Sequence, residues 1–269
     1  MAAGVFSSVL DRSHDPIAQL YAGTGSGDIV LVGNSRAYRG FDFDFLSREF
    51  GGRVVNLALP GAPIELSEAL IDDYLDRYGS PRLLILELSG LVQGPDALKE
   101  VRVFTARSKR IASLMRAHHP QLYYAGAASH LFNFNNGFAL NLADKVFRPM
   151  PDLRLTGEFS EAAAASAPDG NYFVPRSDQL VAARRLMAHV QGRNVNARYM
   201  LMPVEKHYAA RNQATALQTA VQGLTGGHNL WDLIDGPPVA APYFADQVHL
   251  NRRGVAVLMN HLRTIGFFN

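Results

Sequence analysis

Two short stretches, far apart in the chain, hold residue types that together could activate a hydroxyl for attack on a carbonyl group. "GNSR" places Ser35 directly after an apolar run, and "FADQVHLNRRG" places Asp246 and His249 three residues apart. A serine attacks efficiently only if a base takes its proton, and the base needs a third group that fixes its tautomer. Ser35, His249 and Asp246 are therefore a candidate nucleophile, general base and orienting acid.

The distance between these stretches makes their meeting a question of fold. Asp246 and His249 can lie on one turn, so that the carboxylate accepts from one ring nitrogen while the other nitrogen faces the serine. Ser35, however, lies more than two hundred residues away in sequence. Most Gly-x-Ser tripeptides are ordinary turns, so the hypothesis depends on the elements that carry the two stretches to one place.

Alternating strands and helices are the elements that the sequence predicts. Short apolar runs rich in β-branched residues predict strands at Asp28–Gly33, Arg53–Leu59, within "RLLILELSG", at Asn196–Val204 and within "HNLWDLID". Helical spacing predicts helices within "FDFDFLSREFG", ending at Gly51, and over Glu65–Tyr78, Ser177–Gln191, about Ala209–Gln222 and about Arg253–Ile265. This order predicts an α/β protein, a flavodoxin-like three-layer α/β/α sandwich with a central parallel sheet. In such sheets ligands bind outside the carboxyl ends of the strands, where we expect Ser35.

The domain organisation follows from the same pattern. We expect one domain over 28–269, preceded by an N-terminal extension or connection over 1–27. The stretch Val101 to Arg176 is too long for a simple crossover and contains aromatic, amide-rich and alanine-rich pieces. Long loops in compact domains usually have a function of their own or are disordered, and we interpret this stretch as an insertion after the third strand that caps one end of the sheet.

Composition excludes several classes of function. Hydrophobic residues make up 48% of the 269 residues and charged residues 19%, as in ordinary globular proteins. The 26 basic and 24 acidic residues nearly cancel, so no strong field attracts nucleic acid or an anionic membrane. The absence of cysteine removes thiol catalysis, thiolate zinc sites and disulfides, and it is compatible with the cytoplasm and with the bacterial periplasm. No apolar run of about 18 residues is present to span a membrane.

Three blocks of the chain resemble those of the SGNH (GDSL-like) hydrolases, in the same order: "VGNSR", "NLALPGAP" and "DQVHLNRRG". The last block is the most specific, and the resemblance covers the chain from Asp28 to the terminal helix, apart from 101–176. It implies that Ser35 is the nucleophile, that His249 is the general base and then the acid, and that Asp246 orients His249. It also implies the SGNH hydrolase fold and a mechanism without a cofactor.

The resemblance further implies an oxyanion hole built from the backbone N–H groups of Ser35 and Gly61 and from an asparagine side chain. Two departures bear on it. Asn34 stands where the family usually has aspartate, and the asparagine of the third block is missing from "ELSGLVQG", where Ser89 is the nearest polar candidate. This pattern is similar to an envelope-associated branch of the superfamily that includes O-acyltransferases acting on bacterial polysaccharides.

Several other residues have two interpretations each. Arg36 could bind an anionic substrate group or pair with Glu87, and we favour the ion pair because a buried carboxylate needs a partner. "GTGSGD" precedes a strand, whereas a dinucleotide-binding loop follows one, so we expect a flexible connection there.

The histidines do not predict a metal site. His118 and His119 are adjacent and cannot face one metal, and His207 is more simply a surface histidine than a pocket residue. An aromatic group that could stack on a sugar or cover an acyl chain more simply fills the core: Tyr123, Tyr124, Phe132, Phe134 and Phe138.

The sequence thus leads to two functional hypotheses. The first is a serine-dependent ester hydrolase or O-acyltransferase that forms an acyl-enzyme on Ser35 and acts on acyl, in particular acetyl, esters of carbohydrate or of small molecules. The alternative, motivated by the missing asparagine, is a non-catalytic carbohydrate-binding or assembly protein on a degenerate SGNH scaffold. The resemblance also implies a periplasmic or cell-envelope location, with membrane contact only through an anchor upstream of this chain; the cytoplasm stays open.

Overall fold

The fold is built on a central sheet of five parallel strands. The computed structural model describes residues 8, 10–135, 137–148, 151–166, 168–237 and 239–269. The strands are β1 (Ile29–Val32), β2 (Val54–Asn56), β3 (Leu83–Glu87), β4 (Ala197–Leu201) and β5 (Leu230–Asp232). Their spatial order is β2-β1-β3-β4-β5, and every pairing is parallel. The prediction of a parallel α/β sheet is confirmed, and each strand lies within its predicted range.

Helices precede, connect and follow these strands within the described ranges. They are α1 (Pro16–Ala22), α2 (Ser35–Arg39), α3 (Phe43–Phe50), α4 (Ile64–Tyr78), α5 (Lys109–His118), α6 (Pro120–Ala128), α7 (Gly137–Phe147), α8 (Glu161–Ala165), α9 (Ser177–Gly192), α10 (Lys206–Arg211), α11 (Ala214–Thr225) and α12 (Arg252–Thr264). Short 3₁₀ segments cover Ser89–Val92, Pro95–Phe104, His130–Phe134 and Ala241–Tyr243. Within the described ranges, no helix has both the length and the apolar character needed to cross a bilayer.

The single helix predicted over Ala209–Gln222 is wrong, because the chain forms two helices there. Gln213 adopts a left-handed backbone conformation, with φ of 58°, which interrupts the helix between α10 and α11. The Asn212 side chain makes the interruption favourable, since its amide donates to the carbonyl of Tyr208 at 3.1 Å and to that of Pro168 at 3.0 Å. A local side-chain hydrogen bond of this kind competes with helical bonding, and apolar spacing does not reveal it.

Alternation along the strands separates the core into two layers. Successive side chains of a strand point to opposite faces of the sheet. In β1, Val30 and Val32 pack in the cluster that includes residues of α1, α4, α9 and α11. Ile29 and Leu31 pack in the other cluster, which includes residues of α2, α3 and α12. Because both faces are covered, β1 reads as a continuous apolar run.

The segment before β1 also contributes to this core. Leu10, Ile17 and Leu20 are buried within the cluster that contains Val30. The glycine-rich connection between α1 and β1 is held by tyrosine hydroxyls of α4, among them that of Tyr74, which accepts from the N–H of Gly27 at 3.0 Å. Residues 1–7 and 9 of the extension predicted over 1–27 lie outside the described residues.

The long stretch after β3 lies in two places. Helix α5 packs against α4 and against the 3₁₀ segment Pro95–Phe104. Residues 151–166 instead run along the segment that precedes α12, where Leu155 accepts from the N–H of Arg252 at 2.7 Å and Phe159 donates to the carbonyl of Phe244 at 2.8 Å. The second part therefore lies beside the loop that carries Asp246 and His249.

Asp152, in this second part, makes a contribution to stability that depends on pH. Hydrogen bonds from Arg154 outweigh the effect of burial and lower the pKa of Asp152 to about 2, and Arg252 lies 2.8 Å from the same carboxylate. Because the folded-state pKa is depressed, the stabilisation is fully present above the ordinary pKa of aspartate and is lost as the pH falls toward 2.

We expect Asp152→Asn to lower the free energy of unfolding by about 0.5 to 1 kcal/mol at pH 6, since the pair is partly exposed. The difference from wild type should shrink as the pH falls from 4 to 2, as measured by urea unfolding. In an Arg154→Gln background the same substitution should cost less. A cost that is equal at pH 6 and at pH 2 would contradict the assignment.

Candidate active site

Ser35 lies at the start of α2, in the turn that leaves the carboxyl end of β1. The turn is held by Asn34, whose side-chain oxygen accepts the backbone N–H of Arg36 at 2.9 Å. A Cβ atom on Gly33 would lie 2.8 Å from the Cβ of Glu87 on β3. Only glycine therefore lets the turn pass this closely over the neighbouring strand, and the turn presents Ser35 at the edge expected from the sequence.

Asp246 and His249 lie in a tight loop before α12. Phe244 and Leu250 form an antiparallel bridge, and the N–H of Ala245 donates to the carbonyl of His249 at 2.8 Å. One carboxylate oxygen of Asp246 accepts the backbone N–H of His249 at 2.9 Å, and the other lies 2.8 Å from the imidazole Nδ1. The carboxylate thus fixes the loop and the ring together.

The structure brings Ser35, His249 and Asp246 together in one hydrogen-bonded chain. The Nε2 atom of His249 lies 2.8 Å from the Oγ atom of Ser35, within the range for proton transfer to a general base. The His249 side chain is 15% exposed and that of Asp246 is 42% exposed. The serine hydroxyl therefore has a positioned base at a solvent-accessible edge of the sheet.

The charge of Asp246 suits it to stabilise a protonated imidazole. Burial by itself raises the pKa of this carboxyl group, but hydrogen bonds from the His249 ring and from the backbone N–H groups of Val248 and His249 outweigh burial and hold the pKa below its usual range. Asp246 is consequently ionised at neutral pH. An ionised carboxylate on Nδ1 fixes the tautomer that leaves Nε2 free to accept the serine proton.

Gly61 lies at the same edge as Ser35. The backbone bonds from Leu57 to Leu31 and from Leu59 to the carbonyl of Gly33, at 2.8 and 3.1 Å, continue the strand pairing beyond β2. They carry the chain alongside the Ser35 turn. Gly61 follows in a turn with φ of 72°, a conformation that favours glycine. Its backbone N–H and that of Ser35 are the candidate oxyanion donors at this edge.

Ser89 lies in a buried network rather than in the oxyanion hole for which it was a candidate. Its hydroxyl donates to Oε2 of Glu87 at 2.8 Å and accepts from the Asn34 amide at 2.8 Å. A hydroxyl has one proton, and here that proton is committed to Glu87. The network also explains asparagine at position 34, because an amide caps α2 with its oxygen and donates to Ser89 with its nitrogen, whereas aspartate cannot donate.

Arg36 is equally unavailable to a substrate. It is 3% exposed, its Nη1 atom lies 3.9 Å from Glu87, and its Nη2 atom donates to the backbone carbonyls of Met202 and Pro203 beyond β4. Burial raises the pKa of Glu87 and lowers that of Arg36, while their mutual attraction opposes both shifts. The structure agrees with the ion-pair interpretation of Arg36, and it disagrees with the other interpretation, substrate binding, because the side chain is enclosed.

Asn251 anchors the loop, and the sequence analysis did not single it out. Its amide donates to the backbone carbonyls of Gly157, Pro242 and Phe244, at 2.9, 2.8 and 3.2 Å, and its side-chain oxygen caps α12. The residue is 2% exposed. Its place two residues after His249, directly before an apolar helical pattern, is the signal that identifies it as a helix cap.

Glu205 is a second residue that sequence reasoning missed. It is 1% exposed, caps α10 through its carboxylate and accepts from Nδ1 of His207 at 2.9 Å. Its own N–H donates to the carbonyl of Gln247 at 3.1 Å, between Asp246 and His249 in sequence. Glu205 therefore ties the end of β4 to the loop that carries the imidazole, and His207 is partly exposed beside it.

The remaining histidines and aromatic residues lie elsewhere. His118 bonds to Glu65 and His119 to the carbonyl of Pro95. Across the ranges that the structure describes, no three His, Asp or Glu side chains are grouped so as to hold a metal ion.

The aromatic group predicted to fill the core is divided. Tyr123 and Phe134 pack against the core, whereas Tyr124 is 61% exposed. The Phe132 ring lies under Arg102, and the side chain of Phe138 lies outside the described residues.

Asn251 gives a prediction that separates its two roles. Asn251→Ala removes the cap and the amide that bonds to three carbonyls, so we expect the free energy of unfolding to fall by about 2 to 4 kcal/mol. Asn251→Ser keeps an uncharged capping oxygen and loses only the amide, so it should cost less, as measured by urea unfolding. Equal costs for the two variants would contradict the separation of roles.

Asn34 gives a second prediction. Asn34→Asp buries a carboxylate beside Glu87 and loses the donor to Ser89, so we expect a cost of about 1 to 3 kcal/mol at pH 7. Asn34→Ser loses the same donor but keeps an N-cap without charge, and it should cost less. Thermal or urea unfolding measures both variants, and an Asn34→Asp protein as stable as Asn34→Ser would contradict the prediction.

Two comparisons, one with models of protein families and one with curated protein sequences, give no match for this chain. No model of a protein family matches it. No curated protein sequence matches it either. The chemical interpretation of this edge of the sheet therefore depends on the geometry of Ser35, His249 and Asp246.

Proposed function

We propose that this chain is a serine-dependent ester hydrolase or O-acyltransferase of the SGNH type, with an acyl-enzyme formed on Ser35. One observation carries the proposal: Oγ of Ser35 lies 2.8 Å from Nε2 of His249, whose Nδ1 lies 2.8 Å from the Asp246 carboxylate. The site also lies where the strand order changes direction, since β1 has β2 on one side and β3 on the other. Such switch points are where open parallel sheets bind ligands.

The first half of the reaction forms the acyl-enzyme. As Oγ of Ser35 attacks the ester carbonyl, Nε2 of His249 takes the hydroxyl proton, and the Asp246 carboxylate stabilises the imidazolium. Negative charge develops on the carbonyl oxygen, for which the N–H groups of Ser35 and Gly61 are the donors. The tetrahedral intermediate then expels the alcohol, which leaves with the proton from His249.

The second half releases the acyl group to an acceptor. His249 takes a proton from water or from a sugar hydroxyl, the acceptor oxygen attacks the acyl carbon, and Ser35 leaves with the proton that His249 returns. Water as acceptor gives hydrolysis, and a hydroxyl gives transfer. Incubation with an acceptor oligosaccharide, followed by mass analysis of the sugar, separates the two.

The substrate class and the location rest on the resemblance of the motifs. By that resemblance the substrate is an acyl ester, in particular an acetyl ester, of a carbohydrate or a small molecule, and the reaction uses no cofactor. By the same resemblance we propose a periplasmic or cell-envelope location, with the cytoplasm as the alternative. Nucleic acid is not part of the proposal, because basic and acidic residues nearly balance.

One observation favours the alternative, a non-catalytic carbohydrate-binding or assembly protein. The Ser89 proton is donated to Glu87, which leaves the two backbone N–H groups as the candidate oxyanion donors at this edge. Loss of one donor typically costs about a hundredfold to a thousandfold in rate. Against this alternative, a scaffold without catalysis has no need of a base held at proton-transfer distance from a serine.

The decisive test uses p-nitrophenyl acetate and a fluorophosphonate probe. We expect turnover and labelling in wild type, loss of labelling in Ser35→Ala, and a fall in turnover of about a thousandfold or more in Ser35→Ala and His249→Ala, because the triad acts as a unit. Ser129→Ala, an exposed serine elsewhere, is the control and should behave as wild type. Absence of turnover and of Ser35-dependent labelling in the folded wild-type protein would favour the binding protein instead.

A further inference from the structure

Arg39 contributes a positive charge to a cleft beside the last residues of α2. The cleft has a volume of about 220 Å³, and its walls include Tyr38, Arg39, Leu59, Pro60 and Lys145. Arg39 is only partly buried. Among the residues that the structure describes, it has no hydrogen-bond or ion-pair partner. A guanidinium with five donors is therefore available at this wall of the cleft.

The charges around Arg39 leave its positive charge uncompensated. Asp15 is the acidic residue of the cleft wall, but its carboxylate is already used: one oxygen caps α1 and the other lies 2.5 Å from Nζ of Lys145. The Asp15–Lys145 pair is neutral as a whole, so the wall carries a net charge of one positive unit from Arg39.

An adjoining cleft differs in sign. It has a volume of about 470 Å³ and shares Pro16 and Asn56 with the first. Its charged residues are three aspartates and Arg154, and Arg154 pairs with Asp42 and with Asp152. The larger cleft is therefore acidic, and an anionic group is drawn to the side of Arg39.

The helix α2 carries both Arg39 and Ser35. Ser35 and Arg39 are the first and last residues of α2, four positions apart and hence on one face of the helix. Long side chains on a helix lean toward its N-terminus, which here is the Ser35 turn. On the opposite wall, Leu59 and Pro60 directly precede Gly61, and the N–H of Leu59 donates to the carbonyl of Gly33. Two walls of the cleft thus belong to the segments that also carry Ser35 and Gly61.

We propose that Arg39 binds an anionic group, a carboxylate or a phosphate, carried by the ester substrate a few atoms from its reacting carbonyl. A planar guanidinium suits either oxyanion because it can donate two parallel hydrogen bonds. This inference rests on the proposed nucleophilic role of Ser35. It narrows the substrate class from acyl esters in general to esters with a negative charge near the acyl group.

The test compares a neutral and an anionic ester on the same enzyme. The neutral substrate is p-nitrophenyl acetate and the anionic one is the mono-p-nitrophenyl ester of succinic acid. We expect Arg39→Ala to lower the ratio of kcat/KM for the anionic ester to kcat/KM for the neutral ester by about tenfold to a hundredfold, mostly through KM, since a hydrogen-bonded charge is lost. Arg39→Lys should recover part of the ratio, and added NaCl should reduce it in wild type by screening.

Arg184→Ala is the matched control. Arg184 is an exposed arginine of α9 that lines neither cleft, so its removal should leave the ratio as in wild type. Circular dichroism and the thermal midpoint establish that each variant is folded. An Arg39→Ala protein with the wild-type ratio, or an equal fall in the ratio for Arg184→Ala, would overturn the proposal.

A binding measurement separates this proposal from the proposed function. Ligand-observed NMR with monoethyl succinate and with inorganic phosphate, at constant ionic strength, reports binding without turnover. We expect at least one anion to bind wild type and to lose binding in Arg39→Ala; succinate alone indicates a carboxylate site, and phosphate alone a phosphate site. Arg39-dependent binding without Ser35-dependent turnover would contradict the proposed enzymatic function and support the anion site. Turnover with no Arg39-dependent binding of either anion would contradict the anion site alone.

Discussion

A carboxylate with no exposed surface lies at the carboxyl end of the central strand, and the position of Ser35 depends on how this charge is compensated. Glu87 accepts the hydroxyl and the backbone N–H of Ser89 and faces the guanidinium of Arg36. An isolated charge could not be buried there. Because Ser89 in turn holds the Asn34 amide, compensating Glu87 also fixes the turn from which Ser35 projects. Ser35 is thus positioned by the requirement to satisfy a buried acid on the middle strand of the sheet.

The imidazole is positioned by an independent set of bonds. Asn251 holds three carbonyls of the segment before α12, and Glu205 ties the end of β4 to the carbonyl of Gln247. These bonds fix the position of the loop relative to the sheet. The Asp246 carboxylate fixes the orientation of the His249 imidazole relative to the loop. One hydrogen-bond network therefore positions the serine and a second one positions the histidine, and together they give the 2.8 Å contact between Oγ and Nε2.

Two arginines of α2 illustrate how burial decides a role that residue type leaves open. Arg36 and Arg39 lie three positions apart on the same short helix, one directed into the sheet and one at a cleft wall. From the sequence, Arg36 could bind a substrate or pair with Glu87, and in the structure it faces Glu87 and donates to carbonyls beyond β4. Arg39 has no motif around it, and it is the guanidinium that a ligand can reach.

The sequence by itself determined the strands, the parallel sheet and three residues able to form a triad, because apolar periodicity and the Asp-x-x-His spacing are local properties. It could not determine that Ser89 donates to Glu87, that Asn251 and Glu205 hold the loop, or that Gln213 breaks a predicted helix. Those outcomes depend on which polar groups from distant segments meet in the interior. A buried donor or acceptor must find a partner wherever the fold places one, so only the tertiary structure decided the roles of Ser89 and Arg36.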